Sequence, residues 1–307
     1  VSDDAVAFDH GAPQTQKGIM AFGQTDANEG ANISTSHLIS SSGVVADDTT
    51  GVGTARRDVG AASYGGDKAI FGYGIISSVT GITNLVNNSG VVAADVSAVG
   101  TARRDVAAVG YGVDLAMFAY GNSGSKTNLK NLVTNQGVVG ANVTGVGTAR
   151  GDLAASRYGV GLGIFGYGNT GSKVSMTNLV TNVGVIGTDV SGVGTARQSL
   201  AACTFGGDKA IFGFGKDGSN ETSITNLVSN VGVVAANTTG VGAAREKLGA
   251  CSFGGDKGIF AFGVDNGGGG RVSTSNLVSN SGVVASNTTG VGSATNRLGA
   301  AGFSFSA

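Results

Sequence analysis

Short runs of small and apolar residues alternate with Gly-, Ser- and Asn-rich breaks along the whole chain. No window sustains a 3.6-residue apolar period with caps, so the pattern predicts strands and no long helix. In one stretch, residues 58–64 (DVGAASY) read as a first strand, and Gly65-Gly66-Asp67 turns the chain into a second, residues 68–73 (KAIFGY). A Gly- and Ser-rich loop leads to a third strand over 82–87 (ITNLVN). Ser89-Gly90 then turns into a fourth that opens at Val91. Such dipeptides between β-rich runs are hairpin signals, because Gly accepts the positive φ these turns need.

The pattern repeats. Gly-Val-Gly-Thr-Ala-Arg and its variants end at Arg56, Arg103, Arg150, Arg197 and Arg245, and a sixth copy has Thr295 in place of Arg. Successive copies are 47, 47, 47, 48 and 50 residues apart. A second phrase keeps step at Met20, Phe71, Phe118, Phe165, Phe212 and Phe260, and a third starts at Gly43, Gly90, Gly137, Gly184, Gly232 and Gly282. Six copies of one supersecondary unit stack into one body. Four antiparallel strands per unit is the pattern of a propeller blade. The expectation is an all-β, six-bladed β-propeller of four-stranded antiparallel blades over residues 17–307, with residues 1–16 as an N-terminal arm. The Ala-rich first strands suit the crowded axis, and the aromatics of the second strands suit the wedge between blades. The C-terminal strand, 298–304, is expected to complete the blade containing Met20 and so close the ring. The alternative is that residues 5–8 fill that place.

Composition narrows the class. At 307 residues, length alone suggests about two domains, which the repeat overrules. Gly is 56 without a triplet period and Pro is 1, which excludes collagen. An apolar fraction of 41% supports a core rather than disorder. A net charge of -1 offers no footprint for nucleic acid, and no apolar run is long enough for a membrane helix. Val1-Ser2-Asp3-Asp4 has neither the basic head nor the apolar run of a signal peptide, and it lacks Met, as expected of a processed end or a fragment of a longer chain.

Little catalytic chemistry is visible. His10 and His37 lie outside any ligand spacing. Cys203 and Cys251 hold one position in adjacent repeats and read as structural thiols, with a disulfide or metal pair as the alternative. The Gly-rich phrases lack the Lys-Ser/Thr of a phosphate loop. Asp67, Asp208 and Asp256, and the residues Asp48, Asp95, Asn142, Asp189, Asn237 and Asn287, read as turn residues, with calcium as the alternative. No catalytic residue, metal site or cofactor is assigned, and no enzyme is expected. The repeat arginines either fix carbonyls or carboxylates between blades or form an anion site round a channel. What varies is one loop per unit: residues 24–34, 75–81, 122–129, 169–175, 216–223 and 264–272. Loops equivalent by repeat symmetry emerge on one face and suit a binding surface. The candidate ligand residues are Asp26, Asn28, Glu29 and Asn32, then Lys216, Asp217, Asn220 and Glu221, and finally Asp265, Asn266 and Arg271.

Thr-Ala-Arg, then Leu-Ala-Ala, then Tyr-Gly-Gly-Asp-Lys-Ala-Ile-Phe-Gly-Tyr-Gly resembles a kelch-type repeat, although this chain has no Trp. The wording GGDKAIFGYG, TNLV, GVV and GVGTAR is similar to repeats in large virion proteins of marine bacteriophages, from about Lys17 to Phe303. That resemblance implies a non-catalytic structural or adhesion protein of the virion, in a tail fibre or another appendage, that takes part in host recognition. Its partners would be other virion proteins and a host surface glycan, within a symmetric assembly, with neither nucleic acid nor membrane insertion. The alternatives are a cellular surface lectin and a propeller glycan hydrolase or lyase. The enzyme would need a carboxylate or His cluster at the channel mouth.

Overall fold

The structure, a computed structural model, describes residues 15–25, 30–265, 267 and 270–307. Among these there is no helix, and six three-stranded antiparallel sheets carry the fold. Units are numbered by their second strands: Lys17–Ala21, Lys68–Gly72, Leu115–Ala119, Leu162–Gly166, Lys209–Gly213 and Lys257–Ala261. Each second strand is central in its sheet. In unit 2, Phe71 faces Ala61 of the first strand Gly60–Tyr64 and Asn84 of the third strand Thr83–Val86. Two-stranded hairpins, Lys216–Asp217 with Asn220–Glu221 and Val264–Asp265 with Gly270–Arg271, extend the loops of units 5 and 6.

The sheet of unit 1 joins distant parts of the chain. Lys17–Ala21 pairs with Ser36–Ile39 on one edge and with Gly299–Phe303 on the other, where Met20 faces Ala300. Both edges are therefore filled, while residues 5–8 lie outside the described residues. Thr15 and Gln16, expected in a peripheral arm, belong to the fold instead. The Gln16 amide donates to the Ser304 carbonyl at 2.8 Å, and the Gln16 carbonyl accepts from Gly254 at 2.9 Å.

The expected fourth strand is not a regular one. In unit 2 it touches the third strand through two isolated bridges, Val86 with Val92 and Thr83 with Val96. Between them the Asn84 side chain donates to the Ala93 carbonyl at 3.0 Å, so a side chain replaces a rung of the backbone ladder.

Neighbouring sheets interlock through aromatics. Phe22, Tyr73, Tyr120, Tyr167 and Phe214 each follow a second strand and meet edge-on or tilted the Phe of the next unit, with centroids 5.1–5.4 Å apart. All five adopt φ near 64°. The left-handed bend aims each ring at the neighbour, and the aromatic contact offsets the strain of a bulky residue there. The first strands pack against one another in unit order, and Gly299–Phe303 lies against both Gly249–Phe253 and Gly60–Tyr64. A cavity of about 100 Å³ is lined by all six, with Ala61, Ala108, Ala155, Ala202, Ala250 and Ala300 at one level.

Side-chain size is matched across neighbouring sheets. A Cβ on Gly258 would lie 2.5 Å from the Cys203 sulfur, and one on Gly18 would lie 2.5 Å from that of Cys251. Both thiols are free and buried, filling the hollow over a glycine of the next unit. Burial pushes the thiol of Cys251 up to about 12, so it is a packing group rather than a nucleophile. At the same level between units 2 and 3, Ala62 and Ala116 share one cluster, so two medium residues replace the large and small pair. Gly258→Ala is therefore expected to lower stability by about 1–3 kcal/mol through overpacking. Adding Cys203→Ala should restore most of it, as read by urea denaturation. Equal stability of the single and double variants would contradict the matching.

Candidate functional site

The repeat arginines lie between sheets, and none of them lines the cavities enclosed by the first strands. Arg56 is fully buried. Its Nε donates to the Tyr73 carbonyl at 2.9 Å, Nη1 to the Thr54 carbonyl at 3.1 Å and Nη2 to Asn84 Oδ1 at 2.7 Å. Its guanidinium lies 4.1 Å over the ring of Phe22 in the preceding unit. Arg103 on Tyr73, Arg150 on Tyr120, Arg197 on Tyr167 and Arg245 on Phe214 repeat the stacking at 4.2–4.4 Å. Burial pulls Arg56 down to about 10, with Asp95 opposing, so it stays charged at neutral pH. Asp95 also accepts from the Thr54 amide and from Asn84, tying the phrase that enters a unit to the unit's outer run. Asn142, Asp189, Asn237, Asn287 and Asp48 make the corresponding bonds. These residues are thus latches within a unit rather than local turn residues.

Unit 1 breaks the pattern twice. Thr295 replaces the Arg, and His37 replaces the Asn of the third strand. The buried His37 ring stacks on Phe262 of unit 6 with centroids 4.5 Å apart, in the place the guanidinium takes elsewhere. Burial lowers its pKa, with Asp48 opposing, and its Nδ1 lies 3.3 Å from Asp48 Oδ1.

The second residue after each repeat Arg or Thr295 forms the mouth of the central cavity: Asp58, Asp105, Asp152, Ser199, Lys247 and Arg297. All six are left-handed, with φ of 54–58°. Five neighbouring pairs are joined by backbone hydrogen bonds, among them Asp58 N–H to the Arg297 carbonyl at 2.9 Å and Lys247 N–H to the Ser199 carbonyl at 2.8 Å. The backbone fixes the ring while its side chains differ, with acids on one side and bases on the other. Arg297 Nη1 donates to both oxygens of Asp58 at 3.0 Å. Burial works against the Arg297 charge, but Asp58, with Asp105 and Asp152 beyond it, outweighs burial and raises its pKa. Burial and then the charges of Asp152 and Asp58 push Asp105 up to about 7, although Arg104 Nε lies 3.6 Å away. A near-neutral carboxyl between two carboxylates can donate or accept a proton near pH 7.

The variable loops are rooted beside this ring. The residue before each ring member bridges the start of a loop: Arg57 with Ile75, Arg104 with Asn122, Gly151 with Asn169, Gln198 with Lys216, Glu246 with Val264 and Asn296 with Gln24. Asn32 and Arg271 act as staples. The Asn32 side chain accepts from Arg57 at 2.8 Å and donates to Ile76 O at 3.0 Å, while Arg271 donates to Asn296 at 3.0 Å and Gln24 at 2.9 Å. Lys216 pairs with Glu221 at 3.5 Å across its hairpin, which leaves Asn220 exposed beyond Asp217. Asp265 lies in the second hairpin and opposes the lowering of the buried Arg245. Asp26, Asn28, Glu29 and Asn266 lie outside the described residues.

Sequence reasoning missed the mouth ring and the Asn series. The signal for the ring was available, because the position two residues after each repeat Arg or Thr295 mixes acids, Ser and bases while the residue that follows it is always Val or Leu. No family model and no curated protein matches the chain.

Two measurements probe this arrangement. Thr295→Arg alone should destabilise by about 1–3 kcal/mol, because the new guanidinium meets His37 rather than an Asn acceptor. With His37→Asn added, the pair found elsewhere is restored and stability should reach or exceed the parent's. Additive losses in the double variant would sink the exchange. For Asp105, the folded pKa lies above the unfolded one, so the folded state holds the extra proton and stability falls as pH rises from about 4 to 7. Asp105→Asn should therefore raise stability at pH 8 by on the order of 1–3 kcal/mol and much less at pH 4.5. A gap in melting temperature that does not widen with pH would show an ordinary carboxylate.

Proposed function

We propose that the chain is a six-bladed β-propeller acting as a non-catalytic adhesion or structural protein of a bacteriophage virion, in a tail fibre or another appendage. The observation that carries the reading is the common rooting of the variable loops beside the charged mouth, on a frame that barely changes from unit to unit. Polar tips such as 217–220 suit hydrogen bonding to the hydroxyls of a host surface glycan. Without aromatic platforms each site binds weakly, so attachment relies on many copies in a symmetric particle.

The opposite end of the sheets supports a second contact. Val44, Val91, Val138, Val185, Val233 and Val283 recur there, each 54–65% exposed. They flank the hairpin turns, as the bond from Asn88 to Asp67 at 3.0 Å marks in unit 2. A repeated apolar set on the invariant face suits docking to other virion proteins.

A second reading has one specific observation in its favour. Asp58, Asp105 and Asp152 are a carboxylate cluster at the mouth, which a glycan hydrolase or lyase would need. Replacing residues 217–220 by Gly-Ser of equal length, with Lys216 and Glu221 kept, is expected to leave the β signal in circular dichroism intact. It should weaken adsorption to host cells by on the order of tenfold. Asp105→Asn should adsorb as the parent does. Unchanged adsorption of the loop variant would remove this face from host binding. Turnover of host polysaccharide that Asp105→Asn abolishes would establish the enzyme instead.

A further inference from the structure

Away from the charged mouth, the first strands present one more matched set: Ser63, Gly110, Arg157, Thr204, Ser252 and Gly302. Each stands five residues beyond its member of the mouth ring. Five of them are glycines or carry a hydroxyl, and Arg157 alone is charged. With Thr15 they line a cavity of about 70 Å³.

The two glycines leave room for what covers them. A Cβ on Gly110 would lie 3.3 Å from Arg157 Cδ and 3.6 Å from Nη1, so the Arg157 side chain lies across the bare backbone of its neighbour. A Cβ on Gly302 would collide with the Thr15 hydroxyl, so Thr15 lies across the other bare segment.

The Arg157 guanidinium makes a single hydrogen bond among the described residues, from Nη2 to the Gly112 carbonyl at 2.8 Å. No described carboxylate pairs with it, in contrast to Arg297 on Asp58. Nor does it lie over an aromatic ring like the repeat arginines. Burial lowers its pKa and no neighbouring charge opposes this. A guanidinium keeps its proton at neutral pH, so this half-buried cation on the cavity wall favours an anion beside it. Among the described residues Nε and Nη1 have no acceptor. Thr15 and Ser252 share one hydrogen bond at 3.1 Å, which leaves one of their two hydroxyl protons free to donate.

We propose that this cavity binds a small oxyanion, held by the Arg157 guanidinium and the Thr15–Ser252 hydroxyls. The planar fork of Arg fits the oxygens of phosphate, sulfate or a carboxylate, and the cavity admits a group of a few heavy atoms. The site is distinct from the repeat arginines, each of which already bonds backbone carbonyls and four of which also bond an Asn side chain.

The test is a melting curve against added phosphate, sulfate, acetate or glucuronate, at constant ionic strength with a bulky sulfonate as the balancing anion. The parent should gain roughly 2–5 °C, saturably, with at least one of them at about a hundredfold excess over its dissociation constant. A response to phosphate, sulfate or acetate identifies a free small ion, and a response to glucuronate alone identifies the carboxylate of an acidic sugar. Arg157→Gln should remove the gain, while Lys257→Gln, which removes an exposed cation elsewhere, should keep it. A gain in Arg157→Gln equal to the parent's would overturn the proposal. So would a parent that responds to none of the four yet loses stability in Arg157→Gln, since a carboxylate of the chain itself would then hold the place.

Discussion

A buried guanidinium held by the chain on every side is the constraint from which the unit follows. Taking this charge out of water is tolerable only if most of its donors find acceptors. In unit 2 those acceptors are the Tyr73 and Thr54 carbonyls and Asn84, and the remaining face of the group rests on Phe22. One side chain thereby fixes where the chain enters the sheet, where the second strand ends, how the third strand sits and where the preceding sheet packs. Stacking of this kind is worth about 2 kcal/mol when desolvated, and stripping one partner from a buried charge costs about 3–5 kcal/mol. Gly53 serves the same network, because a Cβ there would lie 2.5 Å from Asn84 Nδ2.

The repeat, the strand boundaries to within a residue or two and the variable loops were all legible in the sequence, because they are properties of one chain segment at a time. What could not be read is what depends on which groups meet. The arginines offered two readings, and only the position of Asn84 and Phe22 around Arg56 decides between them. The fourth strand looked regular because its apolar residues are, yet Asn84 takes the bond that would have made it so. Two co-occurring exceptions carried information about contact: Thr295 and His37 fall in the same unit, as a pair that substitutes jointly would.

Rigidity and variation are assigned to different atoms of the mouth. Its backbone is a ring of six left-handed residues, five neighbouring pairs of which are linked amide to carbonyl, and that requirement is indifferent to side-chain charge. Asp, Ser, Lys and Arg therefore exchange there without disturbing the strands behind them. Asp is among the residues that tolerate φ > 0 best, whereas Lys247 and Arg297 accept a strained conformation to hold a base at that place. The loops rooted one residue away inherit the same freedom.

The pairing of Lys17–Ala21 with Gly299–Phe303 sets an order of events in biosynthesis. In units 2 to 6 all three strands of a sheet leave the ribosome close together, so each sheet can form as soon as it emerges. The strand of residues 17–21 waits for a partner nearly the whole chain later, which at ordinary rates of translation is on the order of tens of seconds. Through that interval one of its edges stays open to other chains. Final docking of the first sheet is a long-range step, and such steps are slow. Folding speed and the hazard of aggregation are thus concentrated in one sheet of six that are otherwise alike.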